Sequence, residues 1–489
     1  MPFASGLPVP YSFAHETFGD KTPAMIDFQP TEEQCLVRDA VADLSRTTLR
    51  ARLRDHEELR GLPEDVRRTM SDMGLGAAML PEALGGQGFG LVAAVLIEEE
   101  LAHGDPAAAF ACPGPGAYGR AILELGSAEQ QARWLSGFGM EAPDAWSRTG
   151  AVAWSEPKPN RERPGFVTVA RPAGDHFTIT GRKVFTQNAD TADRFVVFAQ
   201  VDDEAGWGGI GAFVVAKGEG VRVGARHETL GLDAASFGEV TFENARAERL
   251  LTDGDFTLAA LRFFLKQGLL VGARAVGLSR AAFEISREYC DGRKAFGKPI
   301  GHFQAVAFKL ADRLMDVDGA RWMIWRAAAA WDSDVAPREC LRLSAQAIAH
   351  ALEGAMRCGD DAVQLHGGAG FMRDYPVEKL MRDAKQIGLT CPTVTALDQL
   401  AAAVALGVPL DPALVLPTPD IQAIFTLREA RHDHRIHAQQ EAAGPPRGDR
   451  EHGPVRRSPS SPLVGPRQAR TGRVSRPLPG DGQRRHRCR

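Results

Sequence analysis

The chain has 489 residues, with 58 Lys+Arg against 62 Asp+Glu and 44% hydrophobic residues. This is the composition of a folded chain with an ample core, and it excludes a collagen-like, disulfide-scaffold or wholly disordered protein. The seven cysteines show no CxxC spacing, which speaks against a zinc module or a thioredoxin-type pair; their odd number without a leader sequence points to a reducing cytoplasm.

Residues 1–25 show no sustained period and read as a loose lead-in. Thr31-Glu32-Glu33-Gln34 fits a capping box, followed by Cys35, Leu36, Ala40, Val41 and Leu44 at helical spacing. Helical patterns recur at 93–102 and 129–134, so 26–148 reads as a helical domain. The period then changes. Short β-branched and aromatic runs at 166–169, 177–180, 194–198, 212–215 and 239–242 are punctuated by Gly, Asp and Asn, which predicts a small antiparallel β-barrel or sandwich at 149–253. Helical periodicity returns through 273–289, 304–330, 338–365 and 377–385, predicting a helix bundle at 254–410 and a short extension at 411–431. No stretch reaches the about 18 uncharged apolar residues of a membrane span. The most apolar, 256–278, carries Arg262, Lys266 and Arg274.

The charge is unevenly spread. Residues 432–489 hold 13 Arg, no Lys and five acids, a net of +8, with eight Pro. That composition cannot bury enough apolar surface to fold and predicts a disordered tail; out-of-frame translation of a GC-rich gene would give the same composition. Nucleic-acid association through this tail is not expected, because no aromatic residue is interleaved for base stacking.

No GxGxxG lies between a strand and a helix, and no P-loop, HExxH or GxSxG occurs. Three other segments carry chemistry. Arg293-Lys294-Ala295-Phe296-Gly297-Lys298-Pro299-Ile300, with Phe303-Gln304, places cations and an aromatic at a Gly-containing turn, and Arg offers a fork for a pyrophosphate. A helix C-terminus with favourable Lys and Arg explains the same residues. Gln364-Leu365-His366-Gly367-Gly368-Ala369-Gly370-Phe371 lets backbone approach a ligand closely, or simply ends a helix. Trp154-Ser155-Glu156-Pro157 and Lys183-Val184-Phe185-Thr186-Gln187-Asn188 could set a hydroxyl, a ring and amides around a flat heterocycle, or be ordinary strand ends.

In their order and spacing, these segments resemble the acyl-CoA dehydrogenase superfamily over about residues 28–402. The likeness is strongest at 293–304 and 364–385, where Tyr375-Pro376-Val377-Glu378-Lys379-Leu380-Met381-Arg382-Asp383-Ala384-Lys385 follows the family pattern. The resemblance implies an α+β fold: an N-terminal helical domain, a central antiparallel β-barrel domain and a C-terminal four-helix bundle. It also implies FAD. By that likeness Arg293 meets the FAD pyrophosphate, with Phe296 and Gln304 beside it. Gln364, Gly367 and Gly368 contact the adenine-side half of a neighbouring subunit's FAD, which implies a homodimer or homotetramer. Ser155 matches a Ser/Thr at the flavin pyrimidine edge, Phe185 a Trp against the flavin, and Gln187 a Thr near flavin N5, with Thr186 beside it. Thr393 matches the Thr of a Glu-Gly-Thr loop.

The resemblance further implies removal of an α-proton from an acyl-CoA or acyl-carrier thioester by a Glu, with hydride passing to flavin N5 and electrons then to an electron-transfer flavoprotein. The two positions that supply this Glu hold Cys391 and Gln267 here, and Pro392 follows Cys391. The CoA-side Arg falls at Gly268, with Arg262 and Lys266 as substitutes nearby. Gln cannot act as a base near neutral pH, and a Cys needs its pKa lowered from about 8.5 to do so. The expected activity is therefore flavin-dependent α,β-desaturation with an unidentified base. Two alternatives stay open: a non-catalytic or FAD-sharing subunit of a heteromer with a competent homologue, and a different flavin reaction such as an oxidase, monooxygenase or elimination. No metal site is expected.

Overall fold

The computed structural model describes residues 29–410 apart from 159, 161–163, 204 and 409. The expected lead-in, extension and Arg-rich tail lie outside the described residues.

The N-terminal helices are α1 (Glu32–Leu44), α2 (Leu53–Leu59), α3 (Glu64–Asp72), α4 (Leu91–Gly104), α5 (Pro106–Phe110), α6 (Gly116–Leu125) and α7 (Ala128–Leu135). Their starts follow from capping chemistry. Thr31 and Gln34 close a full capping box on α1, and Ser127 and Gln130 do the same on α7. Asp105 accepts from the Ala107 N–H ahead of Pro106 at the first turn of α5.

Seven strands follow: β1 (Gly150–Ala153), β2 (Val169–Ala173), β3 (His176–Gln187), β4 (Arg194–Gln200), β5 (Ile210–Ala216), β6 (Val221–Arg226) and β7 (Phe237–Arg249). Pairing runs β4-β2-β3-β7-β5 and returns from β5 to β4, which closes a barrel; β1 adds to β4 and β6 to β7. Two pairings, β1 with β4 and β2 with β4, are parallel rather than antiparallel. The long connections through 154–168 and through β3 supply the crossovers that parallel neighbours need. Two strands escaped the sequence pattern, and the run expected at 166–169 meets β2 only at Val169. β1 is Gly-Ala-Val-Ala, too short and small to register, and β6 is an edge strand whose exposed Arg222 stands between Val221 and Val223. Phe195, Val197, Phe213, Val215, Val240 and Phe242 fill the barrel interior.

The third region holds α8 (Phe256–Gly292), the two-residue strands β8 (Lys294–Ala295) and β9 (Lys298–Pro299), α9 (Gln304–Trp331), α10 (Pro337–His366), α11 (Val377–Ile387) and α12 (Val394–Ala405). α8 is long and apolar enough to cross a membrane by length and composition alone, yet it is the core helix here, with most of its apolar length buried. It packs on α4 closely enough that a Cβ at Gly277 would lie 2.1 Å from the Glu99 carbonyl oxygen. An aromatic cluster joins barrel to bundle: Trp154 meets Phe198, Phe166 and, on α8, Phe264 at 4.7 Å between centroids.

A buried charge network ties the helices together. Lys379 Nζ donates to Asp105 Oδ1 at 2.9 Å and to Asp383 Oδ2 at 2.7 Å, and His56 Nδ1 meets Asp105 Oδ2 at 2.8 Å. All four side chains are fully buried. Asp383 also accepts from the Leu232 N–H, so the network reaches the barrel domain. The Tyr375–Lys385 motif is thus partly explained by structure: its Lys and Asp hold α11 against α5 and the barrel.

Candidate active site

The three regions meet where β3 ends. β3 carries a bulge between Lys183 and Thr186 against β7, and Phe185 sits in it with φ of 51°. A bulky side chain at positive φ is strained, and a bulge re-aims the residue it contains. Phe185 is pushed out of the barrel to 63% exposure, its ring 4.9 Å from that of His227. The next residue, Thr186, is buried with its hydroxyl unpartnered. Gln187 reaches away from the barrel, its Nε2 donating to the Phe110 carbonyl at the end of α5 at 2.7 Å. Ser155 lies beside this strand: its carbonyl accepts from the Val184 N–H, and its side chain is exposed. Glu156 holds the loop, accepting from the N–H groups of Val167 and Thr168 and pairing with buried Lys183 at 3.1 Å. Burial lowers the Lys183 pKa to about 8 against the pull of Glu156.

Behind Phe110 lies a polar cluster. The Arg274 guanidinium stands 4.3 Å over the Phe110 ring and makes a two-pronged pair with Glu98 of α4, both bonds 2.7 Å. Seven residues earlier on the same face of α8, Gln267 Oε1 accepts from Arg120 Nε of α6 at 2.6 Å. Burial lowers the Arg120 pKa to about 10, and raises that of the neighbouring Cys112 thiol to about 12. Sequence reading missed Arg120, Glu98 and Arg274 as site residues. Arg274 was legible as a lone charge in an apolar helix seven residues after Gln267, and therefore on its face.

The second base position is no base. Cys391 is packed against the apolar core, and burial raises its thiol pKa to about 12 without any countering cation. A thiolate is not available there near neutral pH. Cys391→Ala is therefore expected to change any turnover less than threefold between pH 6 and 9, measured in steady-state assays.

Arg262 and Lys266 do not stand free for a substrate phosphate. Both pair with Glu124 of α6, at 2.5 and 2.6 Å. A Cβ at Gly268 would lie 2.6 Å from Ile348 Cδ1, so a larger residue there requires that side chain to shift. Thr393 caps α12, its hydroxyl accepting from the Ala396 N–H at 3.2 Å.

The remaining expected cofactor residues gather at one end of the bundle. Phe296 and Gly297, with φ of 51° and 84°, form the turn between β8 and β9, and the Phe296 ring is 96% exposed. Two successive positive-φ residues are what a two-residue hairpin requires. Arg293 is exposed just before this hairpin, and Gln304 is exposed just after it. Gly367 has φ of 55°, and open space surrounds the Cβ positions of both Gly367 and Gly368. Tyr289 locks this turn to the end of α8: its hydroxyl donates to the His366 carbonyl at 3.3 Å and its ring stacks on the His366 ring at 4.2 Å. Gln364 is exposed one turn earlier. Burial lowers the His366 pKa, so this imidazole is a neutral packing group.

The arrangement of helical seam, barrel and bundle matches known families over nearly all of the described chain. Residues 31–140 match the acyl-CoA dehydrogenase N-terminal domain, 151–245 the middle domain and 257–388 the C-terminal domain. The chain belongs to the acyl-CoA dehydrogenase superfamily. Members are flavin oxidoreductases that act on CH–CH groups. The chain is 33% identical over 367 residues to the probable acyl-CoA dehydrogenase fadE25 of Mycobacterium tuberculosis, covering 74% of this chain and 92% of that one. It is 32% identical to the cyclohex-1-ene-1-carbonyl-CoA dehydrogenase of Geobacter metallireducens, covering 73% and 93%. Among solved structures, the butyryl-CoA dehydrogenase of Megasphaera elsdenii superposes with a TM-score of 0.71 at 27% identity, covering 78% of this chain and all of that one.

Proposed function

We propose that this superfamily member binds FAD and holds an acyl thioester against it for oxidation at the α,β carbon pair. The observation that carries the reading is the end of β3. A strained, outward-turned Phe185, a buried unpartnered Thr186 hydroxyl and the Gln187 amide stand in succession at the seam of the three regions. A flat heterocycle would stack on the first and bond to the other two.

The residues fit FAD at the other end as well. Arg293 offers an exposed guanidinium for a pyrophosphate, with Phe296 and Gln304 beside it. Gln364, Gly367 and Gly368 leave backbone open to a second subunit's cofactor, which makes a homo-oligomer or a heteromer with a homologous subunit the working form. FAD, when bound, supplies the acceptor for two electrons. The chain's part is to position and to exclude water. Gln187 is fixed through its Nε2, which leaves its carbonyl oxygen as an acceptor. The backbone N–H of Cys391 remains a donor for a thioester carbonyl although its side chain is inert. An electron-transfer flavoprotein is the proposed electron acceptor. Arg293→Met is expected to weaken FAD retention about 10- to 100-fold, the loss of a charge-assisted contact, measured by flavin absorbance after gel filtration.

A second reading has its own support. Gln267 and the high-pKa Cys391 give neither base position a group that takes a proton near neutral pH, as a FAD-sharing subunit of an unequal pair would show. Anaerobic visible spectroscopy separates the two. The purified protein, titrated with acyl-CoAs, bleaches its flavin if it is a self-sufficient dehydrogenase. Bound flavin that never bleaches sinks that reading and favours the unequal pair.

A further inference from the structure

The seam behind Phe110 is charged: two guanidiniums and one carboxylate stand beside Gln267. Gln267 and Arg274 lie seven residues apart on α8, hence on one face and about 10 Å apart along its axis. Glu98 spends both carboxylate oxygens on Arg274. That leaves Arg274 Nη1 buried and without a partner, on a side chain only 6% exposed. Arg120 donates once, from Nε to Gln267, and pairs with no carboxylate among the described residues. Burial is the main cause of its lowered pKa, and no carboxylate offsets it at hydrogen-bond distance among the described residues. Arg120, Arg274, Glu98 and Cys112 lie within electrostatic reach of one another. Two guanidiniums thus face one carboxylate and a neutral thiol, an uncompensated charge of +1.

A buried cation without a partner is costly, and a guanidinium fork is shaped for a carboxylate. A plain acyl chain would leave Arg274 Nη1 and the Arg120 guanidinium without a carboxylate. We propose that the pocket takes an acyl thioester that carries a second carboxylate, received between Arg120 and Arg274. This rests on the thioester reading above and adds the substrate class.

The test is binding to the FAD-loaded full chain, followed by flavin difference spectra and calorimetry. Glutaryl-, adipyl- and pimelyl-CoA are compared with valeryl-, hexanoyl- and heptanoyl-CoA, matched pair by pair in chain length. The best dicarboxylyl thioester is expected to bind about 10- to 100-fold tighter than its partner. Arg120→Met, which strands no carboxylate, is expected to remove most of that preference, read as the ratio of the two affinities within each matched pair. Arg274→Met is a second probe, but it leaves Glu98 unpaired, so a failure to fold is read as no result for that variant and the Arg120 variant decides. Equal binding of the two series, or a preference that survives Arg120→Met, overturns the carboxylate proposal alone. Binding of neither series by protein that holds FAD overturns the thioester reading and the proposal together.

Discussion

Gln267→Glu combined with Arg120→Met is expected to speed flavin bleaching by hexanoyl-CoA by about 10²- to 10⁴-fold, the range a positioned general base contributes. Gln267 occupies one of the two positions from which the family's carboxylate works, and an amide cannot take the α-proton. Restoring the carboxylate alone is expected to give a smaller gain. Arg120 Nε lies 2.6 Å from Gln267 Oε1, so a Glu there would be ion-paired and its pKa depressed, which weakens it as a base. Arg120→Met removes that clamp. The order of three rates, wild type below Gln267→Glu below the double variant, is read by anaerobic stopped-flow at pH 7 to 8. A double variant no faster than wild type means that position 267 does not face the reacting carbon.

Lys379→Met is expected to cost about 3–5 kcal/mol of stability, because it strands Asp105 and Asp383 as buried carboxylates. Urea unfolding would show the midpoint falling with the slope unchanged. Neutralising the stranded groups, with Asp105→Asn and Asp383→Asn added, is expected to return most of the loss. The pH dependence has a definite sign. Burial alone would raise the Asp105 pKa, but Lys379 and His56 outweigh it and hold the carboxyl at about 2, below its ordinary 3.8. A depressed carboxyl stabilises the fold above its ordinary pKa and loses that contribution as pH falls toward 2. The magnitude is about 2 kcal/mol, and Asp105→Asn should flatten the acid limb of the unfolding profile between pH 4 and 2.

Element identity was legible wherever a local rule sufficed. The Thr31 and Gln34 capping box and the β-branched and aromatic runs of β4 and β5 each depend on residues within a few positions of one another. So did the Phe296-Gly297 turn, because positive φ at two neighbouring residues is a property of the chain itself. The family motifs likewise named Arg293, Gln304 and Gly367, which the fold gathers at one end of the bundle. β1 and β6 escaped because a short Gly-Ala strand and an arginine-bearing edge carry no periodic hydrophobic signal.

The chemistry of the pocket was not legible, because it arises between segments far apart in sequence. Cys391 looked like a possible thiolate until burial in the apolar core raised its pKa. Arg262 and Lys266 looked like free cations until α6 brought Glu124 to both. Arg120, 147 residues from its partner Gln267, had no signal as a site residue at all. What the sequence by itself determined is the order of the three regions, their local starts and turns, and the membership of a flavin-binding superfamily. Tertiary structure alone decided which charges are paired and which are left over, because burial and long-range pairing set a side chain's charge and reach, and neither is written in its neighbours along the chain.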